Sequence, residues 1–263
     1  MPNYFTALVR EQFDYRELLV RITARDLTLR YKQTLMGFGW AIFMPLLNTA
    51  IFSVVFTRVA PLDTGVPYPL FAFCGLLVWN WFASSLRFAV TSLTSNANLV
   101  TKVYFPREIL PFSAVVVAFV DFAIGSLVLV ALLAYYGIAP GWSILFLPLV
   151  VLVQFLFTAG VALLLAMANL FYRDVKYLFE VAITIWMFAS SVVYPIERVG
   201  GRLGTLLALN PMTPILDAYR AVLIQGVAPD PTGFAAAAVV SVVVCLSGWA
   251  IFHTAEFRFA ENV

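Results

Sequence analysis

Along the first thirty residues, apolar positions recur at helical spacing (Leu8, Tyr15, Leu19, Ile22 and Leu29), while Arg10, Asp14, Glu17, Arg21 and Arg25 step along another face by threes and fours. That pattern predicts an amphipathic helix lying in a membrane interface, within an interface segment spanning 1–34. The density of charge and the lack of an uncharged apolar core argue against a cleaved signal peptide. Beyond this segment the polar positions thin out. Crossing about 30 Å of hydrocarbon takes roughly 20 helical residues. Six apolar stretches with at most one charged residue each approach or exceed that length, at 36–59, 69–90, 112–136, 143–170, 179–195 and 234–254, each bounded by Pro, Gly or charge. The stretch 203–226 differs, because Asn210, Pro211, Pro214, Asp217 and Arg220 interrupt it. It predicts short helices dipping into the outer interface, where broken backbone is tolerated only under cover of protein or a water-filled cavity. The expected fold is therefore an all-α polytopic membrane protein: an interface helix and a six-helix domain over 35–263, with short re-entrant helices before the last span.

Composition agrees with this pattern. Hydrophobic residues make up 62% of the 263 and charged residues 11%, against about 45–50% and about 25% in a soluble domain. A net charge of +2 gives no reason to expect a nucleic-acid partner. Cys74 and Cys245 lie within apolar runs and His253 is the single histidine, so neither a disulfide nor a Cys/His metal site is expected. The sixteen Lys and Arg are more telling. With six spans, Arg10 to Lys32, Arg87, Lys102, Arg107, Arg173, Lys176 and Arg258 fall at one face, against Arg58, Arg198, Arg202 and Arg220 at the other. The bias predicts that both termini are cytoplasmic.

Chemistry is sparse. There is no G-x-x-x-x-G-K-[ST] phosphate loop, no H-E-x-x-H and no G-x-S-x-G, so no nucleotide hydrolase, zinc protease or serine hydrolase is recognisable. The spans hold one central acid, Asp121, with Asn48, Asn80 and Gln154, too few for a proton relay. Asp121 is open to two readings, as a functional intramembrane acid or as a hydrogen-bonded packing residue. Arg87, near the cytoplasmic end of its span, can snorkel. In the loop 95–106, Ser95 or Asn96 can cap a short helix that Pro106 ends, with Leu99, Val103 and Phe105 apolar beside Lys102. A short capped helix at a cytoplasmic face suits docking of a soluble partner. A membrane enzyme acting on a lipid-linked sugar would need paired acids in one cavity, and a passive channel would need no partner.

Three runs carry a resemblance: NLVTKVYFPREILP at 98–111, NLFYRDVKY at 169–177 and LNPMTPILDAYR at 209–220, preceded by RYKQTLMGFGW at 30–40. In this order the chain resembles the membrane permease of ABC transporters that export polysaccharides, which include the O-antigen, capsule and teichoic-acid exporters. One departure is Ser191, where the family often has Pro. The resemblance implies a half-transporter with no catalytic site and no cofactor of its own. Two copies would enclose a channel, and two copies of a separate ATPase, which binds ATP and Mg, would dock from the cytoplasm.

The loop helix would then be the coupling helix, with Asn98, Leu99, Lys102, Val103 and Arg107 at the ATPase, beside Arg173 and Asp174 and Arg21 and Arg25. The helices at 203–226 would form an extracytoplasmic gate involving Tyr194, Glu197, Asn210, Tyr219 and Arg220. A lipid-linked glycan sliding through the channel would stack on aromatic faces, for which Trp40, Phe43, Trp79, Trp81, Phe88 and Trp186 are the candidates.

Overall fold

A computed structural model describes residues 14–32, 34–195 and 200–259, and among these every regular element is helical. The first helix, α1 (Arg16–Tyr31), leads to α2 (Gly39–Val54), which ends in a π-helical turn, Val55–Val59. Next come α3 (Tyr68–Ser95), the short α4 (Ala97–Lys102) and α5 (Ile109–Tyr135). A 3-10 turn, Trp142–Phe146, opens α6 (Leu147–Phe171), and α7 (Val175–Phe188) follows after a tight turn. The chain closes with α8 (Gly201–Ala208), α9 (Met212–Arg220) running into a second π-turn at Ala221–Gln225, and α10 (Pro231–Ala255).

Five of these segments are long and apolar enough to cross a membrane: Gly39–Val59, Tyr68–Ser95, Ile109–Tyr135, Trp142–Phe171 and Pro231–Arg258. The stretch expected as the fifth span is not one continuous helix. α7 has 14 residues, about 21 Å at 1.5 Å per residue, and the chain turns at Ala189. It nevertheless runs antiparallel to α3 along most of its length. Glu180 pairs with Arg87 near the end of α3, and the Tyr68 hydroxyl at its start donates to the Val193 carbonyl at 2.8 Å. The crossing is a helix completed by irregular backbone, which satisfies its polar groups through α9 and the turn before it.

α3 is the axis of the protomer. In its most apolar window 83% of residues are buried, against 11% for α2, and it packs on α5, α6 and α2. α6 and α10 meet through glycines: a Cβ on Gly160 would lie 2.6 Å from the Val244 carbonyl, and one on Gly248 would lie 2.7 Å from the Gly160 carbonyl oxygen. Gly125 is likewise filled within the protomer, by Leu77 of α3. α10 starts cleanly because Asp230 accepts the Gly233 N–H at 2.6 Å, with Pro231 in the first helical position. These two bonds, the Gly233 amide first and the Thr232 hydroxyl second, hold the Asp230 carboxyl below the usual range.

α1 departs from the expectation of a helix lying flat. Ile22 is buried against Ile109 and Leu110, the Ser113 hydroxyl reaches Asp26 at 3.3 Å, and Arg30 meets Asp121 halfway along α5. α1 therefore climbs along α5, carrying its last turn to membrane depth. Its side chains make this possible because the groups facing α5 are met by polar partners there.

Candidate functional site: the coupling face, the gate and the aromatic lining

Three groups of expected site residues fall in three places. The first surrounds α4, which is shorter than expected. It ends at Lys102, and Val103 is extended (φ −122°, ψ 136°) because burial of Phe105 draws the chain inward three residues before Pro106 can act. Asn96 does not cap it with its side chain. The Asn96 amide donates to the Ser92 carbonyl at 2.9 Å, and its oxygen accepts from Arg25 at 3.0 Å. The anticipated apolar face divides as well. Val100 and Phe105 are buried and Leu99 packs against the same cluster, while Asn98, Thr101, Lys102, Val103 and Tyr104 are exposed. The exposed ridge is thus polar with two apolar members, Val103 and Tyr104.

Arg107 anchors this ridge from behind. Its guanidinium donates to the Val100 carbonyl from Nε and Nη2 at 3.4 and 3.3 Å, and from Nη1 to the Glu256 carbonyl at 3.1 Å. Beside it, Glu108 is fully buried, accepts from the Trp249 indole at 3.3 Å and lies 3.2 Å from His253 Nδ1. Glu108, His253 and Glu256 bring ligand-type atoms within 4.8 Å of one another. That meeting was invisible in the sequence because 145 positions separate Glu108 from His253. Arg107 supplies the cation opposite Glu256 at 3.3 Å, making the cluster an ion-pair knot. Arg107 is therefore a brace rather than part of the outward face. Arg173, exposed at the α6–α7 turn, lines a groove of about 300 Å³ with Thr94, Ala97 and Lys176, next to the start of α4. Asp174 and Arg21 are exposed, and Arg25 is half-buried between Asp26 and Asn96.

The second place is the irregular crossing. α8 and α9 form a hairpin whose turn reaches the level of Trp186 and so of Phe82, midway along α3. Asn210, at the tip, accepts the Trp186 indole N–H at 3.0 Å and the Met212 N–H at 3.1 Å, and donates to the Ala189 carbonyl and Ser190 hydroxyl at 3.0 and 2.7 Å. Further out, buried Arg220 donates to the Val192 carbonyl at 2.7 Å, pairs with Asp217 at 3.2 Å and stacks 3.7 Å above the Phe71 ring. Ser191, at the position where the resembling family often has Pro, donates to Asp217 at 2.9 Å. Gly75 makes room for the crossing, since a Cβ there would sit 2.2 Å from the Val192 carbonyl oxygen. Tyr219 is buried against Phe122, and the Tyr194 hydroxyl donates to the Phe188 carbonyl. Asn210 and Arg220 thus tie broken backbone into the bundle, Tyr219 packs beside them, and Arg220 also lines a cavity of about 700 Å³ with Phe71, Pro195 and Asp217. Glu197 lies outside the described residues.

The third place concerns the aromatics. Trp79 and Trp81 are 3% and 1% exposed, because the central position of α3 surrounds them with α5 and α6, and Trp81 borders a cavity of about 470 Å³ that Trp40 also lines. Trp186 is held by Asn210 and packs edge-on against Phe82 and Phe157, so it too is a strut. Trp40 and Phe43 of α2 form an exposed edge-to-face pair, centroids 5.7 Å apart, and Phe88 of α3 is exposed beneath the Arg30 guanidinium. Hydrophobicity alone could not separate these two sets; burial does.

Asp121 is satisfied by two partners. Arg30 Nη1 lies 2.6 Å from its Oδ2 and the Tyr31 hydroxyl donates to its Oδ1.

The architecture is that of a polytopic helical membrane protein with a braced surface helix and one broken crossing. The model of the ABC-2 type transporter family matches residues 17–224, and the chain belongs to that family. It is 34% identical over 259 residues to the O-antigen export system permease protein RfbA of Myxococcus xanthus, covering 97% of this chain and 99% of that protein. It is 30% identical over 247 residues to a protein of the same name from Klebsiella pneumoniae, covering 93% of this chain and 94% of the relative. Members of this family are membrane subunits of ABC transporters, working with an ATPase partner.

Proposed function

We propose that this chain is the permease of an exporter that carries a lipid-linked polysaccharide, of the O-antigen type, across the cytoplasmic (inner) membrane and so serves lipopolysaccharide assembly. The observation that carries the reading is full-length similarity to relatives named as O-antigen export permeases, at 34% identity in the first. Two copies of the chain enclose the path and two copies of an ATPase, which holds ATP and Mg, bind from the cytoplasm. Both termini lie on that side, in keeping with the distribution of Lys and Arg.

The ATPase grips the ridge of Asn98, Lys102, Val103 and Tyr104, flanked by Arg173 and Asp174, whose charges steer docking and fix register. Because Arg107 fastens the ridge to the end of α10, displacement of α4 moves α10 together with α3 and α5. Export follows when this motion reaches the α8–α9 hairpin and opens the extracytoplasmic end. Trp40, Phe43 and Phe88 give the sugar rings weak faces on which to slide.

Co-purification with the exporter's ATPase tests this. Equimolar recovery is expected, reduced at least tenfold when Lys102, Val103 and Tyr104 are all replaced by Ala, since all three are exposed and the fold does not depend on them. Recovery of the chain alone, conducting solutes with no ATPase, would overturn the proposal in favour of a passive channel.

A further inference from the structure

The ion-pair knot behind the surface ridge holds more carboxylate than its one arginine answers. Glu108, at the start of α5, is 1% exposed, and among the described residues its ion pair is with His253 alone. Its second oxygen, Oε2, is buried and accepts no hydrogen bond. A buried carboxylate is costly unless it is paired or coordinates a metal. His253 and Glu256 lie three positions apart at the end of α10, on one helix face that meets Glu108. Arg107 takes Glu256 Oε1 and leaves Oε2 facing the imidazole.

The spacing of these atoms is that of a coordination shell. Two ligands about 2.1 Å from a tetrahedral zinc lie about 3.4 Å from each other. His253 Nδ1 lies 3.2 Å from Glu108 Oε1 and 3.6 Å from Glu256 Oε2, and the ligand-type atoms of all three residues fall within 4.8 Å of one another. One imidazole nitrogen with two carboxylates suits zinc with water in the fourth position, whereas magnesium and calcium favour oxygen ligands throughout. Two carboxylate charges set against Arg107 leave room for a further cation. The side chain of His253 is 25% exposed over a buried Glu108 floor, so an ion reaches the site past the imidazole.

We propose that Glu108, His253 and Glu256 form a site for a zinc-class divalent cation that clamps the start of α5 to the end of α10. His253 binds through Nδ1 as the neutral ring, with its proton on Nε2, while Glu108 and Glu256 each give one oxygen and water completes the shell. The Trp249 indole and the Arg107 guanidinium hold the two carboxylates from outside, each at 3.3 Å, as outer partners commonly do for ligating groups. Because Arg107 fastens the exposed ridge to Glu256, bound metal stiffens the link between that ridge and α10. The inference stands apart from the exporter reading, since it holds whatever the chain transports.

The test uses the full chain, without a polyhistidine tag, in phosphatidylcholine nanodiscs, stripped with EDTA and titrated with zinc chloride. Calorimetry is expected to show one zinc per chain, with affinity weakened at least tenfold by His253→Gln and, separately, by Glu256→Gln. Zinc should raise the melting temperature of the wild type and of neither variant, and magnesium chloride should leave all three unchanged. Because His253 is the single histidine, nitrogen-15 NMR of the wild-type chain labelled only at histidine reads the ligand directly, whether or not the variants fold. Its Nδ1 resonance should move in step with occupancy. A resonance unmoved at saturating zinc would overturn the proposal, as would unchanged affinity in both variants, which would put the metal elsewhere. An equal response to magnesium would overturn it too, because the cluster would then be a general counter-ion site.

Discussion

Arg107 and Glu256 are bound twice over: the Arg107 backbone N–H donates to Glu256 Oε1 at 3.1 Å, and the guanidinium reaches the same oxygen at 3.3 Å. One residue follows the surface helix α4 and the other ends α10, so the pair links the exposed ridge to the last span. Their side chains are 19% and 13% exposed, dry enough for breaking the pair to matter.

Removing one partner of a largely buried pair costs about 3 kcal/mol. We expect Glu256→Ala to lower the melting temperature of the purified chain and to uncouple export, leaving ATP turnover by the complex while transport falls. Glu256→Gln keeps an acceptor for the Arg107 N–H and should fall between. A double-mutant cycle with Arg107→Ala, read by thermal melting, should give a coupling energy of about 1 kcal/mol or more. Simple additivity would mean that the two residues do not act as a pair.

The tip of the hairpin makes a second prediction. Asn210→Ala strands the Ala189 carbonyl and the Trp186 indole in an apolar setting, at about 1–3 kcal/mol for each unmet group. Loosening there should expose what lies under the irregular crossing. Cys74 is fully buried next to Gly75, which Val192 covers. In a Cys245→Ala background, a membrane-impermeant maleimide should leave Cys74 unlabelled with Asn210 present and label it in Asn210→Ala. Equal protection in both would mean that Asn210 is not what holds the crossing closed.

Much of the bundle was legible because lipid writes a simple code. Apolar runs near twenty residues with at most one charge each marked five spans with ends within a few residues, and the Asn210–Arg220 interruptions marked a segment that does not cross. What escaped is instructive. The helical pattern around Trp186 continues in sequence past Phe188, yet the helix stops because Asn210 and Arg220, 21 and 28 positions on from their targets, offer Ala189 and Val192 better partners than another turn would. The orientation of α1 escaped for a similar reason. A charged stripe looks the same whether water or Asp121 and Ser113 answers it. Among the aromatics, only packing distinguishes Trp81 from Trp40, since both are tryptophans in apolar runs.

The glycine contact between α6 and α10 predicts a sharp size limit. A methyl on Gly160 would sit 2.6–2.7 Å from the backbone of Val244 and Cys245, where nothing flexible can yield. Overpacking of this kind costs about 1–3 kcal/mol. Gly160→Ala should therefore lower the melting temperature measurably, and Gly160→Leu should abolish recovery of folded chain. Gly39→Ala is the control, because its Cβ would meet only the Met36 side chain at 3.4 Å. A Gly160→Ala protein melting like the control would show that the helices can separate at no cost.

The division of the aromatics into struts and exposed faces separates stability from transport. Trp79 and Trp81 fill the protomer's centre, and replacing either with Leu removes a large buried ring and leaves a cavity, at about 2 kcal/mol or more. Trp40 and Phe43 are partly exposed on α2, so replacing both with Leu keeps apolar bulk where it is and changes little in packing. We expect the first pair of changes to depress the melting temperature and the yield of complex. The second should leave both near wild type while slowing glycan export several-fold, because the sliding contacts with sugar rings are lost. Export at the wild-type rate by the Trp40→Leu, Phe43→Leu chain would mean that these rings face lipid, and the lining would then have to come from α7, where Val181, Ile185 and Phe188 form an exposed stripe.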